Sequence, residues 1–299
     1  MPQVATLIFS DAGRGKDLDI DTCGQPVYLE ADRKSTRSAR IGIAEVNRVD
    51  EVKRKSAPAV FKKIEIDEIT TYNAIDLKEG HLFIHPQCYP HREGEKMYRE
   101  VYYISGPSSC GKSSWIAKLL RLWIAARQKL KQKTDIYLFS RVEHDNAFKG
   151  IPIHQIRLDD DLLNSPIDVH RELRDCMVIW DDIDSIMNKE LREYLWELRD
   201  DVLSTGAHCG TYSINTSHDL CNWRSTRTSL KEAHYVTVFP QSERFKIRDW
   251  LEKKVGLERD YREVILTEAP KTSRWVTVSM RYPQFIACET FIRMVLPGE

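Results

Sequence analysis

The segment Gly106-Pro107-Ser108-Ser109-Cys110-Gly111-Lys112-Ser113 has the spacing G-x-x-x-x-G-K-[S/T]. That is the spacing of a loop that wraps phosphate. Its glycines let the backbone curl so that successive amides point at phosphate oxygens. A lysine in this place reaches the β- and γ-phosphates, and the hydroxyl after it ligates magnesium. An apolar run, residues 100–106, leads in, and a helical pattern leads out from Lys112. The helix adds its N-terminal dipole to the anion site. A chance match would not bring both a strand and a helix with it. The pattern predicts a nucleotide site over residues 106–114, Ser114 included, holding ATP and Mg2+. Lys112 would be catalytic and Ser113 a metal ligand; GTP in place of ATP stays open.

A second constellation ends the apolar run Cys176–Trp180 with Asp181 and Asp182. In an open α/β sheet, ligands sit at the carboxyl ends of the strands. Asp181 is the expected magnesium acid, acting through the ion's waters, and Asp182 the group that polarises an attacking water. A second acid directly after the first suits water as the phosphoryl acceptor. Asp184 is expected to cap the helix that follows. A third strand end carries Asn215, Thr216, Ser217 and His218, candidates for sensing a γ-phosphate, with Ser217 and His218 the leading pair. The plain alternative is a polar strand end in a turn. Arg224 and Arg227 lie just beyond, on a loop. Either could offer its charge to a neighbour's γ-phosphate, although most surface arginines do nothing so specific.

The elements that must hold these groups are legible in the hydrophobic pattern. Strands are predicted over 100–106, 135–140, 175–182, 210–218 and 233–240, with helices over 115–130, 185–205 (closed by Gly206) and 242–257. Alternation of this kind implies crossovers and a largely parallel sheet flanked by helices. Two late strands follow at 273–280 and 284–289. Upstream, short strands at 4–10, 26–31, 40–46 and 61–67 are separated by charged stretches, 31–40 and 49–58, that read as mobile. The expected fold class is α/β: a P-loop NTPase core at 99–299 preceded by a small β-rich region at 1–98.

Composition limits the surroundings. With 45 basic and 45 acidic side chains in 299 residues the net charge is zero, which excludes a uniformly basic coat but not a local basic path. No apolar run is long enough for a transmembrane span, and the first residues do not read as a signal peptide. Seven irregularly spaced cysteines suit reduced thiols in a soluble, intracellular protein. His81, His85, Cys88 and His91 have zinc-ligand chemistry without a standard zinc spacing, and Pro86 and Pro90 fit a turn-rich linker.

The order of parts from 100 to 255 resembles the core of the FtsK–HerA superfamily of P-loop ATPases. It looks closest to the genome-packaging ATPases of large double-stranded DNA viruses. The resemblance is carried by the phosphate loop, the two acids, LSTGAHCGTYSINTSH (203–218) and KEAHYVTVFPQS (231–242). It departs where the family has Asp-Glu and a sensor glutamine; here stand Asp181-Asp182, with Ser217 or His218 in the sensor region. The resemblance implies a RecA/FtsK-like core and a homo-oligomeric ring, taken as a hexamer, around double-stranded DNA, with ATP between neighbours and contacts to DNA phosphates. It also implies capsid or portal partners, and a viral factory or virion as the location. Arg141 or Lys149 could line the channel, or belong to a solvated loop. Two other readings stay open: a nucleotide-regulated switch with slow turnover, and a small-molecule kinase, for which no arginine-rich lid is evident.

Overall fold

The computed structural model describes residues 6–9, 25–30, 38–45, 59–66, 69–77, 81–90, 97–143, 145–222, 224–281 and 284–295. His91 and most of the charged stretches at 31–40 and 49–58 lie outside the described residues. The chain divides into two compact units, Met1–Gln87 with Leu251–Glu299, and Cys88–Trp250.

The first unit is built from antiparallel strands. β1 (Thr6–Phe9), β2 (Gln25–Glu30) and β3 (Ser38–Glu45) pair in sequence, and β4 (Ala59–Ile66) and β5 (Ile69–Leu77) pair with Ile66 opposite Ile69. β6 (His81–Ile84) returns to pair with β3.

The second unit carries the phosphate loop. In chain order it comprises β7 (Val101–Ser105), α1 (Lys112–Lys129), β8 (Ile136–Ser140), β9 (His154–Ile156), α2 (Asp160–Asn164), α3 (Val169–Glu172) and β10 (Met177–Asp181). Then follow α4 (Lys189–Cys209), β11 (Tyr212–Ser217), α5 (Arg227–Glu232), β12 (Tyr235–Val238) and α6 (Arg244–Trp250). Every strand pairing within this unit is parallel, in the order β12-β7-β11-β10-β8-β9. β7, β11 and β12 are buried along their whole length, as parallel strands covered on both faces must be.

The two faces are covered by different helices. α1 buries Trp115, Leu119 and Trp123, with Trp123 edge-on to Tyr212 of β11. α4 buries Leu191, Leu195, Leu198 and Val202, a helical stripe that shares a core with Val178 and Trp180 of β10. Strand alternation then puts Tyr212, Ile214 and Thr216 toward α1, and Val178 and Trp180 toward α4.

The first unit closes with β13 (Val276–Ser279), β14 (Phe285–Cys288) and β15 (Phe291–Met294), each antiparallel to the next. β15 also pairs with β5, Ile292 opposite Ile75. The expected boundary lies at 98, with everything after it in the ATPase domain; the division into compact units groups residues 251–299 with the N-terminal strands. Local pattern marks these residues as strands but does not say which strand they will pair with.

Two helix ends also differ from expectation. After β10 the chain makes a 3-10 turn, Ile183–Ser185, before α4 begins, so the cap is Asn188 and not Asp184. Asn188 Oδ1 accepts from the amides of Glu190 and Leu191. Nor does Gly206 end α4, which continues to Cys209 and is closed by Gly210 at φ 68°. Gly206 has another reason to lack a side chain. Arg99 donates to the carbonyls of Val202 and Leu203, and a Cβ at 206 would stand 2.7 Å from its guanidinium. Among the described residues no helix is long and apolar enough to cross a membrane.

Candidate functional site

The loop between β7 and α1 is tightly shaped. Gly106 is buried, and its amide donates to Ser217 O at 3.2 Å, tying the loop to β11. A Cβ there would lie 2.8 Å from both Cys110 Sγ and the Phe239 ring, so only glycine fits. Ser109 (φ 64°) and Gly111 (φ 113°) take left-handed backbone, which turns successive amides inward. Ser108, Ser109 and Ser114 are exposed, while Pro107, Cys110, Gly111 and Ser113 are half-buried. Burial pushes the Cys110 thiol above its usual range, with Lys112 opposing, so this cysteine packs as a neutral group.

Lys112 is buried, with Nζ donating to Gly106 O at 2.8 Å. The ammonium also lies 3.3 Å from His218 Nδ1 and 3.6 Å from Asp182 Oδ2. His218 Nε2 meets the same Asp182 oxygen at 2.9 Å. An ammonium can only donate, so Nδ1 accepts from Lys112 and the imidazole proton sits on Nε2, directed at Asp182.

The acids are held from two neighbouring strands. Asp181 accepts from Ser140 Oγ at 2.8 Å and from Thr216 Oγ1 at 2.9 Å. Ser140 ends β8 level with Asp181, so register alone delivers it. Asp182 has left-handed backbone, φ 47° and ψ 36°, and its amide donates to Thr216 Oγ1 at 2.9 Å. Burial is the main cause that raises the Asp181 carboxyl above the usual carboxylate range, and neighbouring Asp182 adds to it; the two hydroxyls and Lys112 oppose.

The structure therefore brings together Lys112, Asp181, Asp182 and His218, at the ends of adjacent strands. Ser217 is not among them. Its side chain takes the opposite face of β11 and lies 3.3 Å from Asp184 Oδ2, an acid that also accepts from Trp196 Nε1 at 2.9 Å. Arg224 rests on α4, 3.7 Å from Glu193 and with its guanidinium 5.7 Å from the Trp196 ring centre. Arg227 opens α5 and is exposed. Arg141 donates to Ser185 O, joining the loops that follow β8 and β10, and Lys149 is exposed. Sequence reasoning missed Ser140 and did not favour Thr216 among its four candidates. The available signal was phase: Thr216 shares a face with Tyr212, and small hydroxyls end both strands beside the acid strand.

Fold and loop together define an α/β protein with a P-loop NTPase core. The chain is 37% identical over 196 residues to the "Uncharacterized protein V3" of Sputnik virophage, an alignment that covers 64% of this chain and 76% of that one. It belongs to the same family as that virophage protein. No protein-family model matches the chain. Among solved structures it is similar to the genome packaging NTPase B204 from Sulfolobus turreted icosahedral virus 2 in complex with sulfate. There the TM-score is 0.42 and the identity 13%, over 67% of this chain and 98% of that one. It is also similar to B204, the DNA-packaging ATPase from Sulfolobus turreted icosahedral virus, with TM-score 0.37 and identity 16% over 66% and 98% of the two chains. The complex of the first of these with ATP-gammaS gives TM-score 0.37 and identity 15%, over 65% and 96%.

Proposed function

We propose that the chain hydrolyses ATP and uses the energy to move double-stranded DNA, in the packaging of a viral genome into a capsid. The observation that carries the hydrolytic part is the convergence of Lys112, Asp182 and His218 within 3.6 Å of one another, beside Asp181. The loop amides and Lys112 hold the β- and γ-phosphates. Asp182 orients the attacking water, and His218 stands where a γ-phosphate can be read. The donor set also suits magnesium. Ser113 and Asp181 offer hard oxygens, and two adjacent carboxylates share one lysine, so a divalent cation relieves their repulsion. When bound, magnesium shields charge on the phosphate oxygens.

The DNA part rests on the layout of motifs from 100 to 255, and kinship with a virophage protein supports a viral setting. On this reading the subunits form a homo-oligomeric ring, a hexamer, whose contacts are to DNA phosphates. Arg224 or Arg227 reaches a neighbour's nucleotide, a capsid or portal protein recruits the ring, and the work takes place in a viral factory or virion. A second reading, a switch with slow turnover, is favoured by one observation. Lys112 is already engaged by Gly106 O, His218 and Asp182, contacts that phosphates must displace.

The test is ATP hydrolysis by the purified chain with and without long double-stranded DNA, with Lys112→Ala as the blank. A rise with DNA that is absent in K112A and shrinks as salt increases is the expected result. Hydrolysis indifferent to DNA removes the motor reading. Tight ATP binding with negligible turnover, with or without DNA, favours the switch.

A further inference from the structure

We infer that Thr216 is the positioning residue of this centre, and that its single hydroxyl brings both acids to the same face of the sheet. The inference rests on the hydrolytic reading above. In β10, Val178 and Trp180 point toward α4, while Ile179 and Asp181 point toward α1 and the phosphate loop. Continued alternation would send Asp182 to the α4 face, away from Lys112. It does not go there, because the backbone turns left-handed at residue 182. An aspartate takes that conformation more readily than most residues with a side chain, yet it stays strained and is held where the surroundings favour it. Thr216 supplies the constraint from the neighbouring strand by accepting the Asp182 amide at 2.9 Å. The turned carboxylate then meets Lys112 and His218.

The same oxygen faces both carboxylates, 2.9 Å from Asp181 Oδ1 and 3.2 Å from Asp182 Oδ1. One hydroxyl carries one proton and donates to one acid at a time. The shorter contact gives it to Asp181. Together with Ser140 on Oδ2, this anchors both oxygens of the carboxylate expected to face magnesium. The β-branch restricts the side-chain torsion, so the hydroxyl keeps its direction. Of the two acids Ser140 contacts only Asp181, its oxygen also accepting the Val142 amide, whereas Thr216 contacts both, which makes the two hydroxyls separable by experiment.

The experiment compares the full-length wild type with Thr216→Val, Thr216→Ser and Ser140→Ala. Valine keeps the shape of threonine and removes both donor and acceptor. The readouts are kcat and KM for ATP, and the affinity for mant-ATP with and without magnesium. For T216V, kcat should fall about 10–100-fold and the magnesium-dependent tightening of mant-ATP about tenfold, the usual cost of losing an outer partner of a metal-binding carboxylate. Metal-free mant-ATP binding should hold, because the loop amides are untouched. T216S should recover most of the loss. S140A should weaken the magnesium effect more than it lowers kcat. Wild-type turnover and magnesium dependence in T216V would overturn the assignment. So would equal loss of metal-free binding in T216V and T216S, which would mark residue 216 as packing only. If the wild type hydrolyses no ATP, the hydrolytic reading fails separately. The magnesium dependence of mant-ATP binding then judges Thr216, and no change in T216V sinks it.

Discussion

The two edges of the parallel sheet in residues 88–250 are built from similar side chains put to opposite uses. At the edge where the strands begin, charges are buried and matched. Arg127 is 1% exposed, pairs with Asp175 at 2.7 Å, donates to Lys133 O and lies over the Trp123 ring. Glu100 is fully buried and accepts the hydroxyls of Tyr98, Tyr102 and Tyr235. At the edge where the strands end, two carboxylates follow one another, share Lys112, and need left-handed backbone to do so. Buried charge that is fully satisfied holds a fold together. Like charges kept side by side persist only where something else is meant to enter.

That contrast predicts a separation between stability and turnover. Arg127→Ala removes the ion pair with half-buried Asp175 and the packing over Trp123, and should cost about 3 kcal/mol. Thermal unfolding should show a fall in melting temperature on the order of 10 °C. Turnover per folded molecule should stay near that of wild type. A comparable drop in kcat at temperatures where R127A is folded would break the comparison. Asp182→Asn should do the reverse, lowering kcat by about 10²–10⁴-fold as expected for loss of a water-orienting base. Its mant-ATP affinity and melting temperature should not fall. A D182N protein that melts well below wild type would show that the acid pair also carries the fold.

Much of the strand-end edge could be read in the sequence, because its signals are contiguous. The phosphate loop is a run of eight residues with its strand and helix attached, and Asp181–Asp182 closes an apolar run. Both readings depend only on neighbours along the chain. Thr216 and Ser217 are adjacent, and choosing between them needs to know which face of β11 looks toward α1. That is settled by Trp123 packing on Tyr212, 89 positions away. The resting place of Arg224 depends on Trp196 and Glu193 of α4, and the helix cap on a 3-10 turn that no local pattern announces. The pairing of β15 with β5 joins residues more than two hundred positions apart. The strand-start edge was not anticipated either: Glu100 reads as the polar end of an apolar run until Tyr98, Tyr102 and Tyr235 close around it.

The smallest expected effect tests the comparison most sharply. Burial, reinforced by Asp182, raises the Asp181 carboxyl above the range it has in an unfolded chain. A raised pKa means that the folded protein prefers the protonated acid. That contribution is fully present below the unfolded pKa and is lost as pH rises through the folded one. Above that raised pKa, without nucleotide, the ionised Asp181 therefore weakens the fold. Asp181→Asn removes the charge and keeps a group that can bond with Ser140 and Thr216. It should raise the melting temperature by about 2–4 °C, a gain on the order of 1 kcal/mol. The gain should be largest above the raised pKa and shrink on acidification, as wild-type Asp181 takes up its own proton. Hydrolysis should be lost in the same variant. A melting temperature that falls in D181N would mean that Ser140, Thr216 and Lys112 more than offset the burial of the charge. The strand-end edge would then be as well satisfied as the strand-start edge, and the difference between them would lie in geometry alone.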